Sequence, residues 1–140
     1  MKNKNIQNLK VLQASLMVLT NKVYNLHWNM KTSLFFSLHK NTEDLFEDLT
    51  KFYDDVAEKI VMHNELAIGT LKDQLKYSVI KEVEPKDFNS REISQIIVAD
   101  LTTLINLCDK VEGTNTVQPM LDEIYLSADK WRWQFSKIIK

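Results

Sequence analysis

The stretch that decides the fold is FFSLHKNTEDLFEDLTKFYDDVAEKIVM, at residues 35–62. Its apolar side chains recur mainly at steps of three and four residues: Phe35, Leu38, Leu45, Leu49, Phe52, Val56 and Ile60. Because residues at these spacings share one side of an α-helix, the pattern predicts a long amphipathic helix that ends near Met62. The stretch is also acidic, with seven carboxylates between positions 43 and 58, whereas residues 1–42 contain none.

The residues before this stretch predict a first helix of similar length. Apolar side chains recur at steps of three and four at Ile6, Leu9, Leu12, Leu16, Leu19, Val23, Leu26 and Met30. The stripe predicts a helix of about 25 residues. The polar break Lys31-Thr32-Ser33 follows, and either Thr32 or Ser33 is expected to cap the next helix.

Two further long helices are predicted after a long connection at residues 64–85. Asn89 and Ser90 are good caps for a helix that is expected to end at Gly113 in the left-handed conformation. The last helix is expected to open at Thr116 or at Gln118-Pro119 and to continue to Ile138. Within the connection, residues 71–79 predict a short helix. The expected fold class is therefore all-α, a four-helix bundle with a crossover and a short extra helix between helices two and three.

Length and composition limit the function classes. The 140 residues suit one domain over positions 1–140, with a mobile tail expected at residues 1–5. Two glycines and two prolines indicate long helices with few turns, and the net charge of −1 gives no general attraction to DNA or membranes. The single Cys108 excludes an internal disulfide and is expected to be a buried structural thiol. No secretory signal or membrane span is visible, so we expect a cytoplasmic protein.

Four residues in the first half of the chain are candidate metal ligands. His27 and His39 stand twelve positions apart, and Asp54 and Glu58 follow in a D-x-x-x-E spacing. A single histidine is most often a surface or capped residue, and carboxylates at this spacing are often simply solvated. Like charges four residues apart on a helix are nevertheless mildly destabilising, and a shared cation would remove that repulsion.

Helix geometry divides these candidates between two places. With a rise of 1.5 Å per residue, His39 and Asp54 lie roughly 22 Å apart if the second helix is continuous. Bonds of ~2 Å to a metal cannot bridge that distance within one chain. If the four residues share a metal, they must come from two chains related by a twofold axis.

Three runs of sequence carry a resemblance to a known family. They are YNLHWNMK at 24–31, FFSLH at 35–39 and DDVAEKI at 54–60, and the Gly69-Thr70-Leu71 region also fits. Together they resemble the Dps family, the mini-ferritins or DNA-binding proteins from starved cells. The resemblance covers nearly the whole chain and implies a ferritin-like four-helix bundle.

The resemblance also implies an activity and a set of ligands. It implies a hollow dodecamer that stores iron and oxidises Fe(II), with hydrogen peroxide preferred over oxygen, in protection against oxidative stress. The ferroxidase centre of that family lies at the twofold interface, where His27 and His39 match ligands of one subunit and Asp54 and Glu58 match those of the other. Glu43 matches a position that helps to hold a second, weaker iron, and Trp28 resembles a tryptophan that traps oxidising radicals. Zinc or manganese can compete for such a site.

Other interpretations remain open. One is a non-specific DNA-binding nucleoid protein with a weak or vestigial metal site, and another is a helical interaction module without metal. DNA binding would use Lys2, Lys4 and Lys10 with a C-terminal patch at Lys137 and Lys140, and it is not favoured by the net charge. In the family, acidic residues near the start of the last helix usually line an iron-entry pore. The region 113–119 lacks them here, so the entry route is left open, with Asp122, Glu123 or Asp129 as candidates. His63 is expected to end a helix rather than to bind metal.

Overall fold

The computed structural model describes residues 1–138 and contains five helices in that range. They are α1 (Asn3–Trp28), α2 (Phe35–Met62), α3 (Leu71–Tyr77), α4 (Ser90–Asp109) and α5 (Gln118–Ser136). The predicted all-α fold is confirmed: α1, α2, α4 and α5 form a four-helix bundle, and α3 lies in the long connection between α2 and α4. No helix among the described residues is long and apolar enough to cross a membrane.

The core lies between the apolar stripes that the sequence predicts. Leu16 of α1, Val56 of α2, Ile97 of α4 and Ile124 of α5 are all completely buried. Cys108 is part of the same core, as expected, and burial raises the pKa of its thiol to about 12. The six residues 29–34 join α1 to α2, so these two helices run antiparallel. Both histidines lie at the end of the helix pair where this connection is.

Amide side chains of α1 hold the irregular segments against the bundle. The buried Gln13 donates to the carbonyl of Ile68 at 2.8 Å and accepts from its N–H at 3.0 Å. Asn5 does the same to Glu112, with bonds of 3.2 and 2.6 Å. Each side-chain amide therefore forms hydrogen bonds with both the N–H and the C=O of one loop residue. These bonds fix the path of a connection that has little regular structure of its own.

Substituting Gln13 with methionine is expected to lower the free energy of unfolding by about 2 kcal/mol. Methionine has a similar length but leaves the N–H of Ile68 without its acceptor in a partly buried site, whereas the carbonyl of Ile68 keeps Gln74 Nε2 as a donor at 3.2 Å. Urea denaturation at a fixed protein concentration measures the change. The exposed Gln7, on the same helix, is the control, and an equal loss in Gln7→Met would argue against the hydrogen-bonding explanation.

Several helix ends differ from the predictions. The helix α4 ends at Asp109 rather than Gly113, and no glycine of the described residues has a positive φ. The absence of a Cβ at Gly113 instead leaves room for the end of the flexible Gln118 side chain. Neither Thr32 nor Ser33 is the cap of α2, which begins after Leu34.

Other predicted ends are confirmed. Asn89 caps α4 in a reciprocal arrangement with Glu92, as Asn89 accepts from the Glu92 N–H and Glu92 accepts from the Asn89 N–H. The helix α5 opens at Gln118 with Pro119 in its first turn, rather than at Thr116. His63 is the C-cap residue of α2.

The two chain termini bear on the expected tail and the basic patch. Residues 3–5 of the expected mobile tail belong to α1, and Asn5 is buried. Lys4 and Lys10 also lie on α1, and Lys137 follows α5. Lys140 lies outside the described residues.

Candidate metal centre

The two histidines meet where α1 ends and α2 begins. His27 is in the last turn of α1 and His39 is in the second turn of α2. Their rings stack with 3.7 Å between centroids and 15° between planes. Phe35 stacks near His39, and Phe46 presents its ring edge-on to His27. The antiparallel pairing of α1 with α2 thus brings together two residues twelve positions apart, as the sequence predicts. Both rings pack against phenylalanine side chains.

Each histidine is oriented by a hydrogen bond through Nδ1. His39 Nδ1 lies 3.0 Å from the backbone carbonyl of His27. A carbonyl can only accept, so Nδ1 of His39 carries the proton and Nε2 keeps a free lone pair. His27 Nδ1 lies 2.9 Å from the hydroxyl of Thr42. Hydrogen bonding at one nitrogen with the other left for a metal is the usual support of an imidazole ligand.

The histidine end favours neutral imidazole at His27. Only 6% of this residue is exposed. Burial, followed by the neighbouring His39, lowers the pKa of His27 below its ordinary value of 6.5, and a backbone hydrogen bond to His39 and the Glu43 carboxylate oppose this by less. Since a metal binds the unprotonated ring, His27 remains available for binding below the ordinary range of histidine titration.

Glu43 and Trp28 flank the histidines. Glu43 follows His39 by four residues on α2, so it lies one turn further along that helix, and it pairs with Lys40 at 3.4 Å. Trp28 directly follows His27, is 63% exposed and lies 5.2 Å from Tyr24 between ring centroids. Most of this indole is therefore left uncovered by residues 1–138.

The carboxylates form a second cluster on α2. Asp54, Asp55 and Glu58 can each offer one oxygen such that all three atoms lie within 4.8 Å of one another. This is the only such group of three or more metal-binding side chains among residues 1–138. Asp55 was not among the predicted ligands, although its position next to Asp54 was the available signal. Its carboxylate contacts Lys51 at 2.8 Å, so it is partly neutralised while Asp54 and Glu58 are exposed.

The histidine and carboxylate groups are far apart within the chain. The helix α2 is continuous from Phe35 to Met62, so His39 and Asp54 are separated by roughly 22 Å along its axis. The structure therefore brings His27 to His39 and Asp54 to Glu58, but it does not bring the two pairs together. If all four residues bind one cation, each pair is a half-site and the complete site needs two chains.

Comparison with known proteins identifies the family. A model of the ferritin-like domain matches residues 6–140. A DNA protection during starvation protein from Helicobacter pylori is 39% identical over 97 residues, which cover 69% of this chain and 67% of that protein. Another from Listeria monocytogenes is 31% identical over 136 residues, covering 90% and 85%. The chain belongs to the Dps family of ferritin-like proteins.

The fold of a solved Dps agrees with this assignment. Dps from Listeria innocua, in a crystal soaked with cobalt, superimposes with a TM-score of 0.92 at 26% identity and covers 99% of this chain and 93% of its own. The predicted resemblance to Dps proteins is thus confirmed. The two half-sites of this Dps-family chain contain imidazole and carboxylate donors, the ligand types that suit iron in its divalent and trivalent states.

Proposed function

We propose that this Dps-family protein stores and detoxifies iron by oxidising Fe(II) at ferroxidase centres shared between subunits. The observation that carries the proposal is the division of four metal-binding side chains into two half-sites at opposite ends of α2. In a twofold dimer with antiparallel α2 helices, His27 and His39 of one subunit would face Asp54 and Glu58 of the other. Such a dimer has two equivalent sites.

Exposed apolar surface at both ends of α2 supports this pairing. Phe36 is 90% exposed and Trp28 is 63% exposed near the histidines. Near the carboxylates, Met62 is 65% exposed, and an apolar depression of about 280 Å³ lies beside Glu58. Contiguous exposed apolar residues usually mark an interaction surface. A second copy would cover them, and we propose a hollow dodecamer built from such dimers.

The ligands divide the work of oxidation. Neutral imidazoles and carboxylates bind Fe(II), and the carboxylates stabilise the more highly charged Fe(III) product. Two Fe(II) ions each give up one electron to one hydrogen peroxide, which breaks its O–O bond and yields two hydroxide ions. Glu43 would help to hold the second, weaker iron, and the indole of Trp28 beside the site would intercept oxidising radicals. Fe(III) would then mineralise inside the particle, and zinc or manganese would compete for the same donors.

We expect anaerobic Fe(II) followed by hydrogen peroxide to give ferric absorbance faster than the same load followed by oxygen. Stopped-flow absorbance measures both rates, and denatured protein gives the background. Ferric product that forms no faster than in this background would refute ferroxidase activity. Fast oxidation without iron retained on the protein after gel filtration would support ferroxidase activity and refute iron storage.

We expect the free energy of unfolding to fall as pH drops below about 6.5 through His27. The folded-state pKa of His27 is lowered, so the unfolded chain takes up this proton first. The contribution of His27 to the free energy of unfolding is complete above pH 6.5 and is lost as the pH falls toward the folded-state pKa of His27. Urea denaturation of the metal-free protein between pH 8 and 5 measures it. His27→Gln should remove this part of the slope, and an unchanged slope would contradict the assignment.

The alternative of a DNA-binding nucleoid protein has weaker support. Several relatives are named for DNA protection during starvation. Phosphate binding requires clustered cations, whereas this chain has a net charge of −1. Lys4 and Lys10 lie on a packed helix, and Lys2 precedes it. Iron chemistry therefore remains the preferred function, in a protein we expect to act in the cytoplasm.

A further inference from the structure

We propose that Thr42 is a positioning residue that fixes His27 in the tautomer that binds metal. The inference rests on the proposed metal site, but its first step concerns only the metal-free chain. Thr42 lies on α2, is completely buried and places its hydroxyl 2.9 Å from Nδ1 of His27. Thr42 is thus the hydrogen-bond partner of the His27 ring, and none of the sequence patterns pointed to it.

The hydroxyl of Thr42 has one hydrogen and three neighbours. Its Oγ1 lies 2.7 Å from the carbonyl oxygen of Leu38 and 3.1 Å from that of His39. Both neighbours can only accept, so the hydroxyl hydrogen must point towards them; otherwise lone pairs would face each other at 2.7 Å. The remaining neighbour, Nδ1 of His27, must then donate. The threonine oxygen therefore accepts a proton that His27 carries on Nδ1.

This direction of donation determines what His27 can bind. A neutral imidazole has one protonated and one free nitrogen, so a proton on Nδ1 leaves the lone pair on Nε2. His39 is set in the same state by the backbone carbonyl of His27. Both rings therefore keep Nε2 as the nitrogen that is free to bind a metal. His39 takes its orientation from a backbone atom, whereas His27 takes it from a side chain that can be substituted.

The variant Thr42→Val tests the proposal because valine keeps the shape and removes the hydroxyl. Solid-state NMR of sedimented, metal-free protein with ¹⁵N-labelled histidine reads the tautomer of His27 in alkaline buffer. The chain has only three histidines, so His27→Gln assigns the signal. We expect Nδ1–H at His27 in the wild type, loss of this uniform state in Thr42→Val, and its return in Thr42→Ser.

Anaerobic Fe(II) titration by calorimetry provides the second reading. Loss of an outer hydrogen-bond partner typically weakens metal binding 10–100-fold, and we expect at least ~10-fold in Thr42→Val. The control is Thr20→Val, because Thr20 is also buried in a helix and bonds the carbonyl four residues earlier at 2.7 Å without contacting a histidine. This control should retain both the tautomer and the affinity.

The results separate this proposal from the proposed function. Nε2–H at His27 in the wild type, or an unchanged tautomer in Thr42→Val, would overturn the positioning role without any need for metal. A changed tautomer with unchanged Fe(II) affinity would overturn it as well, as would an equal loss in Thr20→Val. If the wild type bound no Fe(II) while Thr42→Val still lost Nδ1–H, the metal site would fail and the tautomer assignment would stand.

Discussion

The double variant His27→Ala, His39→Ala is expected to slow peroxide-driven Fe(II) oxidation by ~100-fold or more, since loss of an outer partner alone costs up to that factor. The two rings stack at 3.7 Å and supply the nitrogen donors of the proposed centre. Without them, the carboxylates of the other half-site would have to hold iron alone. Stopped-flow ferric absorbance after anaerobic Fe(II) loading measures the change.

The third histidine provides a matched control for this variant. His63 caps the opposite end of α2, and its Nδ1 lies 2.9 Å from the carbonyl of Lys59. His63→Ala should therefore oxidise iron at nearly the wild-type rate. Equal rates in the wild type and the double variant would refute the site assignment, and equal slowing in His63→Ala would point to a general loss of structure.

Co-assembly can show that the site is shared between chains. The histidine double variant and an Asp54→Ala, Glu58→Ala variant should each be inactive alone. In a twofold dimer formed from one copy of each, one site lacks all four ligands and the other has all four. Random mixing makes about half of the dimers heterodimers, so about a quarter of the wild-type sites should return. If refolding the mixture restores no activity although both variants co-assemble, the four residues do not form an intersubunit site.

Much of the fold was predictable because its causes are local. The apolar spacing in residues 35–62 predicted α2 and its end near Met62, and Pro119 and Asn89 marked the starts of α5 and α4. The pairing of the candidate ligands Asp54 and Glu58 was also predictable, since they are one helical turn apart. The separation of His39 from Asp54 follows from the rise of a helix, so their placement far apart on α2 could be predicted from the sequence alone.

The remaining features depend on contacts between distant parts of the chain. Gln13 forms a hydrogen bond with the backbone of Ile68, 55 positions away. No periodicity in the sequence identifies a glutamine that will bind a loop in this way. Thr42 looks like any threonine in a helix until His27 is placed against it. Gly113 suggested a helix end, but α4 ends earlier and Gly113 instead lies against the end of the Gln118 side chain. Predictions from spacing fail where the deciding partner is far away in sequence.

Substituting Phe36 with aspartate is expected to break the particle into smaller species and to abolish most ferroxidase activity. Phe36 is 90% exposed in the single chain, and Trp28 beside the histidines is 63% exposed. Burying one phenylalanine contributes about 2–3 kcal/mol, and a symmetric interface contains two copies. Losing about 4–6 kcal/mol weakens a dimer by ~1,000-fold or more, before the penalty for burying a carboxylate.

The same variant separates assembly from folding. Because Phe36 contributes little to the core of its own chain, circular dichroism should show wild-type helix content in Phe36→Asp. Light scattering should show about twelve subunits in the wild type, as the family resemblance implies, and fewer in the variant, whereas Phe36→Leu keeps an apolar side chain and should assemble. A helical, monomeric Phe36→Asp that still oxidised iron at the wild-type rate would show that one chain suffices. The half-sites ~22 Å apart on α2 make that result incompatible with a centre built from His39 and Asp54.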